Sequence, residues 1–160
     1  MTRAQLDGWS SAHERGEDGA IESAERIRAS RAVVPASPDG ARLLGERYWL
    51  AVRRATFGLV RLGATPHGSA LRIAGAPLLR FGRAELAADA NGVRCRFPIT
   101  GGMLARRSGG VLVLSQSKEG ELCAALTGFV PRLATGTYER IQRRIHVAIS
   151  RRFFHSLLGE

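Results

Sequence analysis

Large apolar residues are sparse over the first 25 positions. They then fall into short runs cut by glycine and proline, until a helical period takes over at the end. The strand-length runs are Arg54–Leu62, Ser69–Ala74, Leu78–Ala88, Val93–Ile99, Val111–Gln116 and Glu121–Val130, each closed by a turn signal. Asp89-Ala90-Asn91-Gly92 joins the third run to the fourth, and its Asn-Gly pair readily takes the positive φ of a hairpin turn. An earlier extended run, Arg28–Val34, predicts a seventh strand. Ser37-Pro38-Asp39 then reads as a helix start, with a serine N-cap, proline at the first helical position and an acid in the first turn. Gly45 is placed to end that helix after Leu43 and Leu44, and a second short helix is expected over Glu46–Val52. The closing segment, about Thr135 to Leu158, has Tyr138, Ile141, Ile145, Ile149 and Phe153 on one helical face, with Gln142 and His146 beside them. Arg140, Arg143, Arg144 and Arg151 form the opposite face, interrupted by Val147 and Phe154.

One strand, two short helices, six antiparallel strands and a long terminal helix is a distinctive succession. Together with the passage Arg31-Ala-Val-Val-Pro-Ala-Ser-Pro-Asp39, it resembles the START-like or helix-grip (SRPBCC, polyketide cyclase-like) superfamily over about Arg28 to Leu158. The resemblance implies an α+β fold: a curved antiparallel sheet of about seven strands wrapped around the C-terminal helix, with a cavity between them. It also implies a hydrophobic small-molecule ligand, a cofactor-free site, and either a carrier role or a redox-neutral cyclase/aromatase-type conversion. Glycine recurs through the strand region, as bending a sheet requires. Val111-Leu-Val-Leu114 and Leu122-Cys-Ala-Ala-Leu126 are apolar on both faces. Either a second subunit covers them, as in a homodimer, or the sheet closes into a lipocalin-like β-barrel with a terminal helix.

Length and charge refine this picture. A chain of 160 residues suits one domain, here 26–160, preceded by an acidic N-terminal arm over 1–25 that is expected to be flexible or loosely helical. The arm carries two arginines against six acids, a net of −4 in a protein of net charge +10, so the body carries +14. Such a body attracts polyanions: nucleic acid, an anionic membrane or an acidic protein. The bland alternative is a solvated basic surface in a composition where one lysine stands beside 23 arginines. No stretch has the ~20 apolar residues of a transmembrane span, and the polar opening does not read as a signal peptide. The two cysteines, Cys95 and Cys123, lack the spacing of a metal site and sit in apolar runs, so a reducing, cytoplasmic setting is expected.

Candidate chemistry is limited. Eight acids remain outside the arm, mostly at turns or ends, which argues against hydrolase, kinase and metal-enzyme readings. A ligand cavity would draw on Trp49 after the first helix, on Cys95 and Phe97 in the run 93–99, and on Tyr138, Gln142 and His146 of the terminal helix. Histidine titrates near neutrality and could orient a carbonyl or move a proton. It could equally be a rim histidine bonded to backbone, and Trp49 could be plain core. Arg106 and Arg107 lie between Gly101-Gly102 and Gly109-Gly110, where backbone amides and guanidinium groups could hold a phosphate or carboxylate. The alternative there is a hairpin connection with exposed arginines.

Overall fold

The structure, a computed structural model, describes residues 4–132 and 135–158, with the side chains of 135–139 and 142 excepted. The elements in chain order are β1 (Leu6–Arg15), β2 (Ile21–Ala29), α1 (Pro38–Ala55), β3 (Val60–Thr65), β4 (Gly68–Ile73), β5 (Ala76–Phe81), β6 (Glu85–Asp89), β7 (Gly92–Gly101), β8 (Val111–Ser117), β9 (Glu121–Phe129) and α2 (Thr135–Ser156). The fold is α+β, with a large antiparallel sheet and two helices, as expected at that level.

All strand pairs are antiparallel, in the order β1-β2-β9-β8-β7-β5-β4-β3, with β6 also paired to β7. The sheet is open, with β1 and β3 at its ends, which overturns the barrel alternative. It has nine strands where about seven were expected, for two reasons. First, the segment expected as an acidic arm forms β1 and the start of β2, a hairpin running from Leu6 opposite Ala29 to Arg15 opposite Ile21. Every second residue of β2 is buried (Ile21, Ser23, Glu25, Ile27, Ala29), an alternation that the polar residues hide from a hydrophobicity reading. Second, the run 78–88 breaks at Gly82. Here β7, ten residues long, pairs its first half with β6 and its end with β5, so the sheet forks along β7. Register shifts in β1, β2, β4 and β5 add further bends.

α1 begins where the sequence predicts, with Ser37 extended at φ −150° and its carbonyl accepting the Ala41 N–H at 3.2 Å. It does not stop at Gly45, so the two short helices are one. Gly45 lies on the buried face, where a Cβ would stand 3.0 Å from Phe97 Cζ and 3.1 Å from Cys95 Sγ. Glycine there allows the helix to approach β7 closely. The helix also extends past Arg54, into residues expected as strand, and ends where the Thr56 hydroxyl donates to the Val52 carbonyl at 2.9 Å. After β2 the chain leaves the sheet, so the strand expected at 28–34 ends at Ala29. Gln116 on β8 holds the following loop: its Oε1 accepts the Val33 and Val34 N–H groups at 2.8 and 3.1 Å, and its Nε2 donates to the Val34 carbonyl at 3.0 Å.

Both helices cover the same face of the sheet and pack on each other. Tyr48 of α1 meets Phe153 of α2 edge-on at 5.4 Å, and Trp9 of β1 meets Phe154 at 5.6 Å. The C-terminal half of α2 buries Ile149, Phe153 and Phe154, and Leu157 just beyond it is buried too. Its earlier apolar residues are half-exposed, Ile141 by 52% and Ile145 by 49%, and there the helix overhangs a hollow instead of filling it.

Candidate functional site

The hollow has a volume of about 350 Å³ and lies between the inner sheet face, α1 and the first half of α2. Neighbouring strands supply its floor: Leu112 of β8, Leu126 and Phe129 of β9, Ile99 of β7. Leu71, Leu78 and Leu79 close the β4–β5 side, while Trp49 and Val52 of α1 and Ile145 and His146 of α2 form the roof. The wall is almost wholly apolar. The outward partners on β8, Val111 and Val113, are part-covered in the open sheet, Val113 lying between Arg96 and Ala125.

Two side chains of the lining carry polar atoms that are themselves sealed from the open space. The indole Nε1 of Trp49 and the Nε2 of His146 are both buried, and neither has a hydrogen-bond partner among the described residues. Leaving such a group unpaired costs roughly 1–3 kcal/mol. Burial lowers the His146 pKa to about 4, while a hydrogen bond with the Ala124 backbone and the charge of His13 act in opposite, smaller senses. At neutral pH the ring is therefore uncharged.

Of the sequence-predicted ligand residues, the structure brings Trp49 and His146 to the cavity. The side chains of Tyr138 and Gln142 lie outside the described residues. Cys95 and Phe97 stand behind the wall: Phe97 packs on Trp49 at 5.2 Å, and Cys95 is 1% exposed. Burial pushes the Cys95 thiol up to about 11, against the smaller opposing pull of a backbone hydrogen bond from Gly45, so it is not a nucleophile. Arg106 and Arg107 are exposed in the β7–β8 connection, away from the cavity, and Arg107 reaches Asp18 at 3.5 Å. No cluster of His, Cys, Asp and Glu able to hold a metal occurs among the described residues.

A second polar group escaped the sequence reading because it belongs to the hairpin taken as an arm. Glu25 of β2 is 1% exposed and accepts the Ser11 hydroxyl at 2.6 Å. Its Oε2, His13 Nε2 and Ser150 Oγ are buried without hydrogen-bond partners among the described residues. Burial raises the Glu25 pKa, opposed by the Ser11 hydrogen bond and by the charges of Arg143, His13 and Arg151. Alternation in β2 was the signal that could have found it.

No protein-family model matches the chain, and no curated protein and no solved structure matches it. Among the described residues, no helix is long and apolar enough to cross a membrane.

Proposed function

We propose that this protein is a helix-grip-type binder of an apolar or aromatic small molecule, held between the sheet and the first half of α2. The supporting observation is the apolar hollow of about 350 Å³, with the Trp49 and His146 side chains among its lining. A well-packed interior leaves few voids larger than a water molecule, so a hollow of this size has room for a guest. The ligand would be largely hydrocarbon, matching that lining. His146, with its pKa near 4 and its Nε2 sealed from the hollow, is a poor general base at neutral pH, which favours a binding role over a cyclase.

The test is calorimetric titration with a naphthol and with naphthalene. Saturable binding of both is expected, with the two affinities close because the lining is almost wholly apolar. Leu126→Phe, which fills the floor, should weaken both without lowering the melting temperature. Absence of saturable binding, or equal binding by the filled variant, would refute the proposal.

A further inference from the structure

At the C-terminal end of α1 the chain holds a phenylalanine out in solvent. Phe57 is 91% exposed, and Leu59, two residues on, is 65% exposed. Exposure alone would mean little, but the backbone at Phe57 is also strained, with φ at +55°. The Gly58 N–H donates to the Arg53 carbonyl at 2.7 Å and the Phe57 N–H donates to Arg54 at 3.3 Å. These bonds close the helix in a left-handed cap at the position where glycine is the usual residue. A bulky side chain there destabilises the fold and gains no packing in return, a pattern that accompanies function when surrounding structure enforces it.

The surroundings are cationic. Arg53, Arg54 and Arg152 line one shallow groove with Phe57, and Arg152 continues into a second groove with Arg143, Arg144 and Arg151 on α2. Among the described residues no carboxylate forms an ion pair with Arg53, Arg54, Arg144 or Arg152. A protruding aromatic and a leucine, collared by unneutralised arginines, match the layering of an anionic bilayer: phosphates outside, hydrocarbon beneath. Nucleic acid would match the arginines but leaves Leu59 facing water.

We propose that this end of the molecule docks on an anionic lipid surface, with Phe57 and Leu59 inserted and the arginines on the headgroups. The proposal goes beyond the ligand cavity and does not depend on it. The full-length protein would be sedimented with phosphatidylcholine vesicles, with vesicles also containing phosphatidylglycerol, and mixed in parallel with duplex DNA. Binding to the anionic vesicles alone, weakening with salt, is expected. Phe57→Gly should bind them roughly tenfold less, since it removes one buried aromatic. The same variant should melt no lower than the wild type, because glycine suits the left-handed cap. Arg53→Gln with Arg54→Gln should also lose about tenfold or more. Unchanged vesicle binding by Phe57→Gly, equal binding to neutral vesicles, or binding to DNA but not to vesicles would overturn the proposal.

Discussion

Replacing His146 with glutamine should change how stability depends on pH, and the size of the change follows from the site. In the unfolded chain the imidazole takes up a proton near pH 6.5, whereas in the folded protein burial holds it neutral down to about pH 4. Between those values the unfolded state binds more protons, so the histidine makes the fold less stable as the pH falls. At one pKa unit per ~1.4 kcal/mol, the full interval amounts to about 3 kcal/mol. Glu25 works in the opposite sense over an overlapping range. Its folded pKa is raised, so its contribution is full below the ordinary glutamate value and is lost as the pH rises through the folded one. The two effects separate only by difference. Urea unfolding of wild type and His146→Gln would be measured from neutral to mildly acidic pH, and the stability difference plotted. The wild type should lose about 3 kcal/mol relative to the variant as the pH falls through this interval, and the difference should then level off. A flat difference curve, or one of opposite slope, would show that His146 is not held neutral at the cavity wall.

Three further outcomes check the packing that shapes the site. Gly40→Ala would ordinarily gain about 1 kcal/mol of helix propensity. Here the new Cβ falls 1.8 Å from the Pro35 carbonyl oxygen, so a net loss of about 2 kcal/mol or more is expected in chemical denaturation, and a gain would count against the geometry. Gln116→Leu strands the Val33 and Val34 N–H groups and the Val34 carbonyl, and should lower stability by about 3 kcal/mol; a change within experimental error would refute the clamp. Cys95 and Cys123 are buried, and burial raises both thiols, so neither should react with an aromatic disulfide reagent until denaturant is added. Prompt labelling of the native protein would contradict this.

Elements whose signal is local were legible in the sequence. Ser37-Pro38-Asp39 marked the start of α1, the 3.6-residue period marked α2, and Asn91-Gly92 marked the β6–β7 hairpin. What failed were positions where a tertiary partner decides. Gly45 looked like a helix stop because its packing against Phe97 and Cys95 lies on a distant strand. The β1–β2 hairpin looked like a polar arm because its inner face includes the buried Ser23 and Glu25 and the half-buried His13, which a hydrophobicity pattern does not mark as interior. Of the side chains that line the cavity, His146 could be read from helical spacing, whereas Trp49 was singled out only for its place after the first expected helix. Cys95 and Phe97 were placed on the right face of β7 but behind the wall, a difference of depth that alternation does not encode. Phe57 carried no sequence signal, because exposure and left-handed backbone emerge only when the cap closes.

The proposed ligand-binding function depends on whether the space under Ile145 accepts an oily guest. Diffraction from crystals grown with a naphthol would answer most directly. The account predicts ring density between Leu112, Leu126 and Ile145. A collapsed interior with those side chains in mutual contact and no ligand density would contradict it.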